Sequence, residues 1–294
     1  MGTGQAQELI SSPQAALRSR DLLALLGANL ALALGPWFVR MSETGPVASA
    51  FWRMALALPV LFILARRFEG GTKMSGTQRG WLLFAGLFFA ADLASWHLGI
   101  MQTKLANATL LGNMASLLYP IYGFIALSRW PARTQAAALV IAMAGGALLM
   151  GRSYDVSRIN FIGDLLCLAA GVFYTFYLVA IERVRETLPP WSVLFWSTLA
   201  SAIPLLIAAV AMQERIIPND WTPLILLAVG SQIVGQGLLV LSLSRVPPLV
   251  VGLAFLTQPF IAALLGWLIY SETLGPLDWA GAALIGLALV LVRR

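Results

Sequence analysis

Charge is what this chain has least of. Only 11% of its residues are Asp, Glu, Lys or Arg, against about 25% in an average soluble domain. With 59% hydrophobic residues over 294 positions and a mean hydropathy of +0.82, the charges are too few to solvate a globule of that length. A soluble protein of one or two domains is therefore excluded, and a polytopic helical membrane protein is expected. Cysteine and histidine are nearly absent. The single Cys167 has no partner for an intrachain disulfide, and the single His97 cannot assemble a metal site with it. No G-x-x-x-x-G-K-[ST] run occurs, so a phosphate-binding loop for ATP is excluded. Neither metal nor cofactor is expected. A membrane acyl or prenyl transferase would need acids or histidines clustered at one membrane face, and the sequence holds no such cluster.

What remains is apolar and periodic. Ten segments of spanning length are predicted at 21–39, 47–65, 80–101, 105–127, 132–150, 160–181, 191–212, 222–243, 248–270 and 277–292. Their loops are short, so consecutive segments are antiparallel neighbours. Residues 1–20 are polar and lack the apolar core of a secretory signal, which makes them a cytoplasmic tail. The net charge of +6 lies in short clusters between apolar runs, so it points to a bilayer and not to nucleic acid. With the N-terminus inside, thirteen basic residues fall on inside loops and five (Arg40, Lys104, Arg152, Arg158 and Arg215) on outside ones. Arg53 lies within the second segment. The positive-inside rule then puts both termini in the cytoplasm of a multi-pass protein of the cell inner membrane.

The two halves, 21–150 and 160–294, resemble each other. Pro120 and Pro259 are 139 positions apart and are expected to kink the fourth and ninth segments. Small-xxx-small pairs at Ala142 to Gly146 and Ala282 to Gly286 mark a packing interface of the fifth and tenth. Five segments per half is an odd number, so the second half enters the membrane from the opposite side. The expected fold class is thus all-α, ten transmembrane helices in two inverted five-helix repeats. Such repeats are typical of transporters that bind substrate near the midplane at the repeat interface.

Polar residues within the spans mark that site. Thr109, Asn113, Ser116 and Tyr119 fall at helical spacing and form a seam on the fourth segment. In the third, Asp92 and Trp96 share a face, and His97 lies roughly 140° round from Asp92. Gln232 and Gln236 are four apart on the eighth segment, and Gln258 precedes Pro259 on the ninth. The expected substrate contacts are Trp96, His97, Asn113, Ser116, Tyr119, Gln232, Gln236 and Gln258. Asp92 and His97 are the candidates for ion coupling. Each of these also reads as a hydrogen bond that holds two helices together. For His97 that alternative partner is the fourth segment. Arg53, near the outer end of its segment, reads first as a side chain that snorkels outward, and second as a contact for a substrate carboxylate. Tyr174 and Tyr177 line the cavity or anchor packing.

Two runs carry a family resemblance: GDLLCLAAGVFYTFYLVAIERV (163–184) and TQPFIAALLGWLIYSETLGPLDWAGAALIGLALVLV (257–292). They are similar to the ten-helix EamA-type exporters of the drug/metabolite transporter superfamily, and the resemblance covers residues 21–294. The first half departs from the pattern, with SRWPARTQ (128–135) where the second has YSETLGPLDW. The stretch LASWHLGIMQTKLANATLLGN also resembles the amino-acid exporters of that superfamily. The resemblance implies export of small metabolites, amino acids including aromatic ones, through a cavity between the third, fourth, eighth and ninth segments. Aromatic walls from Trp96 and Tyr119 and alternating access by rocking halves complete that expectation. The alternative in the same superfamily is a broad exporter of drugs or cationic compounds, for which Asp92 speaks. A channel would need a continuous polar lining. The partners expected are a small-molecule substrate and the lipid bilayer, and the sequence is compatible with a monomer.

Overall fold

Proline at the first turn opens several of the helices: Pro36, Pro46, Pro190, Pro223 and Pro248 each stand where the missing N–H breaks no helical bond. The computed structural model of the protein describes residues 19–70, 73–102, 105–126, 130–150, 158–258, 261, 268 and 276–292. In chain order, α1 comprises Ser19–Ala33 and, after a turn at Leu34, Gly35–Met41. It is followed by α2 (Pro46–Glu69), α3 (Gly76–Gln102) and α4, which comprises Leu105–Gly112 and Ala115–Ala126. Then come α5 (Arg133–Met150), α6 (Arg158–Arg185) and α7 (Pro190–Ala211). The next helix, α8, is Thr222–Leu227, a π-helical stretch Ala228–Gln236, and Gly237–Leu243. The last two are α9, which begins as Pro248–Phe255, and α10 (Pro276–Val292). Pro259 and most of the rest of the ninth segment lie outside the described residues.

Six of these helices are long and apolar enough to cross a bilayer, among the described residues. Large apolar side chains such as Ile63, Leu83, Ile125, Ile203 and Ile207 stand exposed on the outside of the bundle, where lipid is their solvent. The protein is an all-α integral membrane protein.

The helix pairings repeat with the period of the two halves. Helix α2 packs on α7, α4 on α9, and α5 on α10, each pairing a helix with its counterpart five places on. Helix α3 packs on α6, and the corresponding pair, α8 on α1, is also present. Pairs of this kind are what a twofold relation between two inverted halves generates. The fifth and tenth helices therefore meet as the small-residue pairs predict. Gly286 itself is not at the meeting: a Cβ on it would touch nothing within 4 Å among the described residues.

Helices α2 and α7 hold each other's ends. Glu214, just past α7, accepts N–H bonds from Val47 and Ala48 at 3.3 and 2.7 Å. At the opposite end Glu69, the last residue of α2, accepts from Trp191 and Ser192 at 2.8 and 2.7 Å. Each carboxylate thus satisfies first-turn donors of the partner helix and sits at the positive end of its dipole. Gly45 is required there, because a Cβ would overlap the Glu214 side chain.

The break in α4 falls at Asn113–Met114, ahead of Pro120, which stands inside a continuous helix. Around it the bonds tighten to the i−3 pattern: Met114 to Leu111, Ser116 to Asn113, and Leu117 to Met114. Pro120 removes the donor that the Ser116 carbonyl would otherwise meet. That carbonyl is turned to α9, where a Cβ on Gly252 would stand 2.5 Å from it and 2.5 Å from Pro120 Cγ.

Candidate substrate cavity

Irregular backbone at membrane depth is tolerated where it lines a cavity, and the broken helices α1, α4 and α8 meet at one. Its lining includes Ala33 and Pro36 of α1, Arg53 of α2, and Phe89, Asp92 and Trp96 of α3. Thr109 and Asn113 of α4, Tyr174 of α6, Gln236 of α8 and Gln258 of α9 complete the polar part. The cavity offers about 70 Å³ to the centres of water-sized molecules, where one water needs roughly 10–15 Å³. It is sized for a few waters or one small solute. By their positions along the helices, the lining residues lie between the middle of the bundle and the end that carries Met41 and Pro46.

Each polar group is held from behind. Arg53 is only 3% exposed. Its Nε donates to Gln232 Oε1 at 3.3 Å, and its guanidinium lies 5.8 Å from the Phe89 ring centre. Gln232 is buried in turn and donates to Thr198 Oγ1 at 2.8 Å. No Nη hydrogen bond forms among the described residues, so that fork is available to a ligand. Arg53 therefore does not snorkel: its partners lie inward, on α8 and α3. Asp92 lines the same cavity without an ion pair to Arg53. Gln236 donates to the Tyr174 hydroxyl at 3.0 Å, which leaves its buried Oε1 without a partner among the described residues. Gln258 donates to Asn29 Oδ1 at 2.7 Å, and Asn29 donates to the Leu25 carbonyl at 2.7 Å. The π-helical stretch carries both Gln232 and Gln236, a widened turn of the kind often found at functional sites.

Of the residues that the sequence singles out, Arg53, Asp92, Trp96, Thr109, Asn113, Tyr174, Gln236 and Gln258 come together at the cavity. Gln232 stands one layer behind, oriented toward Arg53. His97 faces α2 instead: its Nδ1 is 2.9 Å from both Ser49 Oγ and the Pro46 carbonyl, and the ring is fully buried. The helix it bridges to is the second, not the fourth. Ser116 lies at the crossing of α4 and α9. Tyr119 is six residues past Asn113, about 9 Å further along the helix axis, and its hydroxyl donates to Glu182 Oε2 at 3.1 Å. The polar seam thus runs out of the cavity toward the opposite end of the bundle. Phe89 and Tyr174, not Tyr119, form the aromatic wall beside Trp96. Asn29, Thr198 and Glu182 escaped sequence reasoning. For Asn29 a signal existed, as it is a polar amide in the middle of the first apolar segment.

A bundle of broken helices around a polar cavity is a transporter's architecture, and the sequence matches the model of the EamA-like transporter family twice, over residues 19–151 and 161–294. The chain belongs to the EamA-like transporter family. Two curated relatives match along most of their length. The pseudopaline exporter CntI of Pseudomonas aeruginosa (strain UCBPP-PA14) is 25% identical over 284 residues, covering 95% of this chain and 97% of that one. The threonine/homoserine exporter RhtA of Escherichia coli (strain K12) is 27% identical over 253 residues, covering 86% and 81%. A crystal structure at 17% identity shares the fold, with a TM-score of 0.79 over 93% of this chain and 98% of the other. This EamA-like protein is a multi-pass membrane exporter of small molecules, a transporter and not an enzyme.

Proposed function

We propose that this EamA-like protein exports small zwitterionic metabolites, amino acids among them, across the cell inner membrane by alternating access. One observation carries the reading: a basic side chain, Arg53, and an acidic one, Asp92, line one small cavity, and no ion pair joins them among the described residues. A guanidinium fork fits a carboxylate, and Asp92 with the unpaired Gln236 Oε1 offers acceptors for an ammonium. Trp96, Phe89 and Tyr174 supply an apolar wall, so amino acids with apolar or aromatic side chains fall within the proposed range. Asn113 and Gln258 add amide contacts, and Gln232 acts by holding Arg53.

Arg53 weighs against the rival reading, a broad exporter of cationic drugs, because its charge opposes a cationic substrate. Asp92 is the residue through which ion coupling would act in this reading. Ser116 and the Tyr119–Glu182 bond lie on the route to the other end, where α4 and α9 pack closely at Gly252 against Pro120 and at Gly123 against Pro248. Opening that end requires these contacts to part, and rocking of the halves would close the cavity in exchange. With the termini inside, as the loop charges favour, the observed cavity faces outward.

Counterflow in proteoliposomes tests the proposal. Labelled threonine and phenylalanine should exchange in a saturable manner, with competition from free amino acids. N-acetylthreonine, which lacks the ammonium, and threoninamide, which lacks the carboxylate, should compete weakly. Competition by a simple organic cation as strong as that by threonine would favour the drug exporter instead.

A further inference from the structure

Away from the substrate cavity, a second hollow lies on the outer wall of the bundle between α3 and α7. It has about 820 Å³ of room for water-sized molecules and two chemically distinct parts. At one end are Lys73 and Arg79, both exposed. Along the rest run Leu82, Trp196, Leu199 and Ile203. Trp196 is 40% and Ile203 60% exposed, facing the lipid. The eight residues from Trp196 to Ile203 extend about 10 Å into the apolar layer from the basic end. The back of the groove is closed by the contact of Gly86 with Ala200.

Lys73 and Arg79 form no ion pair among the described residues, and Glu69 at the same end is committed to the N–H groups of Trp191 and Ser192. Two unpaired cations at the mouth of an apolar trough, at the level where a helix leaves the membrane, complement a molecule with an anionic head and a hydrocarbon tail. We propose that this groove binds an anionic phospholipid, with the headgroup phosphate at Lys73 and Arg79 and one acyl chain along Trp196 and Ile203.

The site carries its own reporter. Purified wild-type protein and a Trp196→Phe variant are titrated, in mixed micelles, with dibromostearoyl phosphatidylglycerol or dibromostearoyl phosphatidylcholine, and the difference in their tryptophan quenching isolates Trp196. A basic residue near the headgroups favours an anionic lipid about fivefold, so the pair predicts half-maximal quenching at a roughly 30-fold lower fraction of phosphatidylglycerol. Lys73→Gln/Arg79→Gln should lose most of that preference. Arg66→Gln/Arg67→Gln, which removes charges at the same end but outside the groove, should keep it. Unbrominated phosphatidylglycerol should restore the fluorescence, and inorganic phosphate alone should not. Equal quenching by the two lipids overturns the proposal, as does no quenching of Trp196 at all. Equal loss of preference in both double variants also overturns it, because the preference would then belong to the positive surface as a whole. The wild-type comparison decides even if one variant fails to fold.

Discussion

Replacing Arg53 by Gln tests the substrate reading most directly. The guanidinium is anchored through Nε by Gln232 and backed by the Phe89 ring, while its Nη groups make no hydrogen bond among the described residues. Gln keeps a polar amide near the position of Nε but is shorter and loses the charge and the fork. A hydrogen bond to a charged group contributes about 1.5–3 kcal/mol, and about 1.4 kcal/mol is a factor of ten. The half-saturating concentration of threonine in counterflow should therefore rise roughly 10- to 150-fold. The substrate itself supplies the second half of a cycle. Threoninamide has no carboxylate for Arg53 to hold, so Arg53→Gln should affect it little, and the variant should treat acid and amide nearly alike. The change also leaves Asp92 as an unbalanced charge in the cavity, which costs stability. Arg53→Gln/Asp92→Asn removes that imbalance and should restore the melting temperature without restoring threonine affinity. An Arg53→Gln protein that exchanges threonine with unchanged half-saturation would refute the carboxylate contact.

Three further outcomes follow from the contacts. Glu214→Ala should cost about 1–2 kcal/mol through the uncapped first turn of α2, and Glu69→Ala a similar amount at α7. Thermal unfolding in detergent measures both, and unchanged midpoints would count against the reciprocal caps. His97→Ala loses the bond to Ser49 and the Pro46 carbonyl, about 1–3 kcal/mol. It should melt earlier and keep the wild-type half-saturation for threonine, whereas slow transport at normal stability would return His97 to the substrate route. With the termini inside, a cysteine at the C-terminus should resist impermeant thiol reagents in intact cells and one beside Asp220 should react; the reverse pattern would invert the orientation.

How much of this was legible before folding depends on the range of the interaction concerned. The membrane class follows from composition alone, because a shortage of charge holds whatever the chain's path. The pairing of α5 with α10 is readable too, since small residues at a short period point to it. Even there, Gly286 looks outward, as periodicity names a face but not its neighbour. The break in α4 is a local event that Pro120 draws attention to, yet it falls at Asn113–Met114, where the bonds shorten to the i−3 pattern.

The composition and repeat of the sequence by themselves determined that this is a two-repeat helical membrane protein with polar groups at depth. Which way those groups point was decided by tertiary structure. Arg53 has a long, flexible side chain whose reach covers both the membrane edge and the cavity. Gln232, 179 positions away, holds it inward. His97 bonds to whichever helix packs against its face, and that is α2 because α2 carries Ser49 and the Pro46 carbonyl at that level. The caps from Glu69 and Glu214 join residues 122 to 167 positions apart. No local pattern encodes such pairs, because their energy exists only once the two halves have come together.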